Sequence, residues 1–369
     1  MGKIFEKASI NTMQLSNRLV RSATWEGMCD PVSGRPGSKL IDYYTMLAKG
    51  GIGLIITGYT FISPEGKQLP GKMGLCTDGF ADVYKKMTDK VHEQGSKIAI
   101  QLVHAGGQAD EKHSGLPPVA PSAIKVDQFP EIPAMLSQED IKSLVDAFAR
   151  ASLRAKTYGF DAVQIHAAHG YLVNQFLSPL TNQRSDDYGG SLENRARFLF
   201  EVYNKIRSEV GESFPLFIKL NAVDYVDGGL ELKDALWTAD KLSQMGIDAI
   251  EVSSGTGASG ARTPVRTKIL SPDKEAYNLE VALAIKENVS CPVMVVGGFR
   301  SFDKVKAAIE DMEIDFVSMS RPLIRQPDLP DQWAHGDHGS AECISCNKCF
   351  AGGLFKGGIF CVPLGKKST

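Results

Sequence analysis

Eight short runs of apolar, β-favouring residues recur along the chain, separated by segments of helical period, and this alternation limits the fold more than any other feature. The runs are LVRSA at 19–23, IGLIIT at 52–57, KIAIQL at 97–102, DAVQIH at 161–166, PLFIKL at 215–220, DAIEVS at 248–253, PVMVVG at 292–297 and DFVSMS at 315–320. Several are apolar at nearly every position, as parallel strands buried on both faces must be. Between them lie amphipathic stretches such as 137–159, where Ser137 and Asp140 supply an N-cap and an acidic first turn and Gly159 a stop. Strand and helix alternating eight times predict a (β/α)8 TIM barrel rather than an open doubly wound sheet. The barrel is expected over 1–335, followed by a short cysteine-rich segment, 336–369, packed on it.

Composition narrows the partners. The 369 residues carry 41 basic and 43 acidic side chains, a net charge of -2, which supplies no long-range attraction for nucleic acid or an anionic membrane. The N-terminus, MGKIFEKASI, has no basic region followed by an apolar stretch, and no apolar run approaches the roughly 20 residues of a membrane span. A cytoplasmic protein acting on a small molecule is expected, with assembly into a homo-oligomer left open.

Active sites of such barrels form at the C-terminal ends of the strands. Those ends carry Ser22, Ala23 and Thr24 after the first run, Thr57 and Gly58 after the second, and Gln101 with His104 at the third. His166 and His169 follow the fourth, Lys219 and Asn221 the fifth, Gly297 and Gly298 the seventh, and Ser320 and Arg321 the eighth. Polar residues and glycines thus replace apolar ones at most strand ends at once. At the last two, VVGGFRS and SMSRPLIR offer glycine N–H groups and an arginine fork, and there barrels commonly hold a phosphate. His166 and His169, three residues apart, can both reach one small volume and hold a carbonyl or phenolate oxygen; a pair of surface histidines or metal ligands is the alternative. Tyr171 can deliver a proton nearby or serve only as an amphipathic packing residue. Between the third and fourth runs, GGQADEKHSGLPPVAPSAIKVDQFPEIPAM is long enough for a functional lid or binding loop.

These residues lie in segments that resemble the Old Yellow Enzyme family of FMN-dependent ene reductases over essentially the whole chain: NRLVRSATWEG, GLIITGYTFISPEGK, IAIQLVHAGGQA, VQIHAAHGYLVNQFLSPLTNQRSDDYGGSLENRARF, FIKLNA, VVGG and MSRPLIRQPDLP. The resemblance implies that Ser22, Ala23, Thr24, Gly58, Gln101 and Lys219 surround the flavin, with Gln101 on its pyrimidine edge and Lys219 near N1. Gly297, Gly298, Ser320 and Arg321 would hold the FMN phosphate. His166 and His169 would bind a substrate carbonyl oxygen, with Tyr171 as proton donor. The implied chemistry is hydride transfer from NAD(P)H to FMN, then to the activated C=C bond of an α,β-unsaturated carbonyl compound. Trp25 stands roughly where one branch of the family places a flavin-tuning cysteine, so that branch's redox properties do not carry over.

Four of the seven cysteines, Cys343, Cys346, Cys349 and Cys361, form C-x2-C-x2-C-x11-C. Four soft thiolates can hold a [4Fe-4S] cluster or a zinc ion, or remain free. The segment looks like the cluster segment of the dienoyl-CoA reductase and trimethylamine dehydrogenase branch. No second nucleotide-binding domain is expected in the residues beyond it, and the cysteines are expected to stand apart from the chemistry. Two other classes stay in view: a barrel lyase in which Lys219 forms a Schiff base, and a barrel subunit of an electron-transfer assembly working with a separate partner.

Overall fold

The computed structural model describes residues 2–364. Each of the eight runs contains a strand: β1 (Leu19–Arg21), β2 (Leu54–Ile56), β3 (Lys97–Val103), β4 (Ala162–Ala167), β5 (Leu216–Asn221), β6 (Ala249–Ser253), β7 (Val293–Val296) and β8 (Phe316–Met319). Every strand pairs in parallel with the next, and β8 pairs back on β1, so the sheet closes. Helices fill the outer ring, among them α1 (Ser38–Lys49), α2 (Ala81–His92), α3 (Gln138–Thr157), α4 (Leu192–Val210) and α5 (Leu232–Gln244). The expected (β/α)8 barrel is the fold.

Local signals in the sequence explain the element ends. In α3 the Ser137 hydroxyl accepts from the Asp140 N–H (3.1 Å) and the Asp140 carboxylate accepts from the Ser137 N–H (3.0 Å), a complete capping box. The helix ends at Thr157, and Gly159 turns the chain out of it at φ +90°.

The strand register stacks the barrel interior in layers. Ala162 lies opposite Ala99, and Phe217 opposite Ala249; two residues further on, Gln164 faces Gln101 and Lys219 faces Glu251. Period-two alternation therefore puts a polar rung directly above an apolar one. Beneath the apolar rung an antiparallel hairpin, Ala8–Ile10 with Met13–Leu15, packs Ile10 and Leu15 against Val20, Leu54, Phe217 and Phe316. Asn11, at its turn, donates to Glu212 O and the Asp248 carboxylate. This plug, which the alternation of runs does not reveal, seals the N-terminal end and leaves the C-terminal end as the mouth.

The stretch after β3 is ordered. It contains a short helix, Glu111–Ser114, and two short paired strands, Val119–Ala120 and Ala134–Met135. Past residue 335 the chain runs back across the mouth: Ile359 N–H donates to Glu26 O, Lys268 N–H to Ser345 O, and Arg300 and Ala341 bond each other. Among the described residues no helix is long and apolar enough to cross a membrane.

Candidate active site

The polar rung is a continuous hydrogen-bonded floor. Gln101 Nε2 donates to Gln164 Oε1 (2.8 Å), and Gln164 Nε2 donates to Glu251 Oε2 (2.8 Å). Glu251 also accepts from the Ser22 hydroxyl (2.6 Å) and pairs with Lys219 Nζ at 3.2 Å. Lys219 in turn donates to Ser22 Oγ (2.8 Å). All five side chains are buried. Lys219 is thus enclosed at the cavity floor with Glu251 as its ion-pair partner.

Above this floor, β4 ends in a backbone turn that aims three side chains inward. His169 and Gly170 take positive φ (+62° and +75°), the region that favours glycine, and a Cβ on Gly170 would displace the Gln128 amide, 2.5 Å away. The turn sets the His166 and His169 rings 5.0 Å apart and nearly perpendicular, with the Tyr171 ring 4.9 Å from His166. Burial, helped by the nearby Lys219 charge, pushes both imidazoles well below their usual pKa, so both are neutral at pH 7. His166 Nδ1 accepts from Ala168 N–H (3.2 Å), which leaves its proton on Nε2. His169 Nε2 shares a hydrogen bond with Ser253 Oγ (2.8 Å), and Gln108 of the loop after β3 donates to His169 O (3.0 Å). The long loop therefore braces the histidine turn.

Tyr171 keeps its proton, since burial raises its phenol above the usual range. Its hydroxyl donates to Gln68 Oε1 (2.9 Å), which also accepts from Lys72 Nζ (3.1 Å). Lys72 lies 3.4 Å from the centre of the Tyr59 ring, and Tyr59 packs edge-on against Tyr171.

One cavity of about 210 Å³ unites these groups. Its walls include Ser22, Ala23, Thr24 and Gln101, then His166, His169, Tyr171 and Lys219, and at the far end Gly298, Ser320 and Arg321. Gly58 and Gly297 are not among its lining residues. A Cβ on Gly58 would strike the Glu26 carboxylate and Thr24 O, so Gly58 serves a close approach behind the wall. There Glu26 accepts from the Tyr44 hydroxyl (2.9 Å) and lies 3.5 Å from the buried Arg21 guanidinium; burial nevertheless pushes its carboxyl up to about 7. His104 also stays outside, its Nδ1 accepting from Gly106 N–H and its Nε2 standing 3.6 Å from Glu65.

At the far end Gly298 has φ +76°, and a Cβ there would lie 2.8 Å from the Tyr277 ring. Arg321 donates through Nη1 to Arg266 O (2.7 Å) and Asn347 Oδ1 (2.6 Å), and among the described residues its other N–H groups have no hydrogen-bond acceptor. Two buried polar atoms on the wall, Trp25 Nε1 and Ser318 Oγ, have no protein partner among the described residues.

Arg321 also lines a second cavity, about 140 Å³, together with Arg325 and all four cysteines of the C-terminal motif. All four are free thiols, and Cys361 Sγ lies 3.8 Å from Arg325 Nη1. Among the described residues no three His, Cys, Asp or Glu side chains are arranged to hold a metal ion; the four cysteines share the lining of this cavity. None of the four cysteines lines the first cavity, but a neighbour in the segment does. Phe350, next to Cys349, lines the first cavity with its ring 5.9 Å from that of Trp25.

Glu251, Gln164, Gln68, Lys72, Tyr59 and Phe350 escape a reading of strand ends alone, whereas Ser253, the end of the sixth run, was open to it. For Glu251 and Gln164 a signal existed: a carboxylate and an amide inside otherwise apolar strand runs need buried partners. For Gln68 and Lys72, in a loop without period, there was none.

Residues 3–338 match the model of the NADH:flavin oxidoreductase / NADH oxidase family. The NADPH dehydrogenase of Halalkalibacterium halodurans is 35% identical over 332 residues, 90% of this chain and 94% of that protein. The NADH oxidase of Thermoanaerobacter brockii is 33% identical over 359 residues, 96% of this chain but 54% of the relative, so the chain spans about half the length of the longer relatives it matches. A 2-naphthoyl-CoA reductase complexed with 2-naphthoyl-CoA superposes with a TM-score of 0.88 at 28% identity, over 97% of this chain and 56% of that one. The chain belongs to the NADH:flavin oxidoreductase / NADH oxidase family, which includes the Old Yellow Enzymes.

Proposed function

We propose that the protein is an FMN-dependent oxidoreductase that takes hydride from NAD(P)H and reduces the activated C=C bond of α,β-unsaturated carbonyl compounds. The observation that carries this reading is a pair of neutral, buried imidazoles and a protonated phenol facing one cavity above a Lys219 ammonium.

The residues present fit FMN. Trp25 Nε1 and Ser318 Oγ are buried donors awaiting a polar occupant, Gln101 keeps its Oε1 as an acceptor, and Gly298 with Arg321 forms a cradle suited to a phosphate. FMN, when bound, would supply a two-electron carrier between the nicotinamide and the substrate. Lys219, fixed by Ser22 and Glu251, stabilises negative charge at the cavity floor. His166 Nε2–H, with the His169 ring beside it, polarises a substrate carbonyl oxygen, and because His166 is neutral it does so as a hydrogen-bond donor without moving a proton. Tyr171 holds the proton for the adjacent carbon. Lys219 is poorly placed as a Schiff-base nucleophile, since its ammonium is engaged by a carboxylate and a hydroxyl.

The C-x2-C-x2-C-x11-C spacing is what supports a [4Fe-4S] cluster on Cys343, Cys346, Cys349 and Cys361, which line one cavity, although among the described residues their side chains do not stand in a metal-holding arrangement. Because Arg321 lines both cavities, a second reading has the barrel pass electrons to a separate partner.

Purified protein should bind FMN and turn yellow, NADPH or NADH should bleach it without oxygen, and an enone should restore the colour. Protein that fails to take up FMN would refute the first reading. Sustained NAD(P)H-driven alkene reduction by the isolated chain would count against the second.

A further inference from the structure

Among the described residues, Lys72 is the cation at the cavity for which the chemistry above has no use. Lys219 has Glu251, and Arg321 has the phosphate end. Lys72 is 3% exposed and lines the cavity, and among the described residues no carboxylate lies within 4 Å of its Nζ. Its partners among the described residues are one neutral oxygen, Gln68 Oε1, the face of Tyr59 and, further off, the Tyr171 ring. An ammonium has three N–H groups, so at least one remains without an acceptor. A buried charge is costly unless an opposite charge or several acceptors meet it. Burial accordingly drives the Lys72 ammonium well below its usual pKa, and Glu26, the acid that counters this, is not within ion-pair reach.

We propose that Lys72 recognises a carboxylate on the substrate, so that the preferred α,β-unsaturated carbonyl compounds are acids. This rests on the function proposed above and names the substrate class for the same cavity. Position supports it. The Tyr171 ring neighbours both recognition points on the wall of one cavity, 4.9 Å from the His166 ring and 5.7 Å from Lys72 Nζ. A ligand whose carbonyl meets the histidines can therefore extend a carboxylate along Tyr171 to Lys72. The carboxylate would accept the free N–H groups, and the Tyr59 face would hold the ammonium in place. It would also draw Lys72 from Gln68 and so loosen the acceptor that restrains the Tyr171 hydroxyl.

The test uses FMN-loaded enzyme and two ligands of one shape, a carboxylate-bearing cyclohexenone and its primary amide. Dissociation constants are read from the change in oxidised-flavin absorbance. The parent should bind the acid about tenfold or more tightly than the amide, as expected for a hydrogen-bonded charge pair in a buried site. Lys72→Met, similar in length and apolar, should bring the ratio close to one, and Lys72→Arg should keep a preference for the acid. Equal affinities in the parent, or discrimination that survives in Lys72→Met, would overturn the proposal. So would a Lys72→Met protein with an unchanged ratio but slower flavin reduction by NADPH, because the anion at Lys72 would then be a dinucleotide phosphate. If Lys72→Met does not retain FMN, the parent's acid-to-amide ratio decides alone. Failure of both ligands to reoxidise reduced flavin would sink the enone reading separately, since the binding ratio is measured on oxidised flavin.

Discussion

Replacing Lys219 with Met would leave Glu251 as an unpaired carboxylate at 0% exposure, supported only by the Ser22 hydroxyl and the Gln164 amide. Breaking a buried ion pair from one side typically costs about 3–5 kcal/mol. The penalty has a ceiling, because a carboxyl of ordinary affinity can instead take up a proton, at about 4 kcal/mol at pH 7 and about 1 kcal/mol at pH 5. With an unfolding entropy of about 2.1 cal/mol/K per residue over a chain of this length, the loss at pH 7 corresponds to a Tm lower by about 4–6 °C. FMN-free parent, Lys219→Met and Lys219→Met/Glu251→Gln should be compared by calorimetry and urea titration at pH 7 and pH 5. The single variant should recover most of its deficit in acid. The double variant should lie near the parent at both pH values, because the Glu251→Gln change neutralises the floor while keeping an acceptor for Ser22. A single variant within about 1 kcal/mol of the parent at pH 7, or a double variant as unstable as the single, would show that the Lys219 and Glu251 charges are not coupled as the 3.2 Å pair implies.

Three further outcomes are expected. His166→Ala/His169→Ala should retain FMN but slow oxidation of the reduced flavin by an enone at least 100-fold, measured by anaerobic stopped flow; a parental rate would remove the carbonyl site from these residues. Anaerobically purified protein should contain about four iron and four sulfide per chain, and Cys346→Ser should lose them; because Phe350 joins Trp25 on the cavity wall, that variant should also shift the flavin spectrum, and an unaltered spectrum would disconnect the two cavities. Glu26, raised to about 7 in the folded protein, binds a proton there that the unfolded chain gives up near 4.5, so its contribution declines as pH rises through that window. Glu26→Gln should flatten this part of the stability-against-pH curve, and an identical slope in the variant would mean that Glu26 stays ionised throughout.

The barrel is legible in the sequence because parallel strands covered on both faces leave an unbroken apolar signature, and eight of them with helical spacing leave little choice of closed sheet. Strand ends are legible for the same reason: where the apolar run breaks at Ser22, Gln101, His166 and Lys219, the chain has reached the mouth. The helix limits near Ser137 and Gly159 follow from local hydrogen bonding and φ alone. Closure of the sheet decided the rest. Ser22, Gln164, Lys219 and Glu251 become one hydrogen-bonded floor only when β1 meets β8 and register sets their side chains on the same rung. Lys72 and Gln68 occupy a loop with no periodicity to disclose which way they face, and Phe350 meets Trp25 from the opposite end of the chain. Short-range propensity acts over a few residues, whereas a buried charge finds its partner, or lacks one, only when distant segments are packed around it.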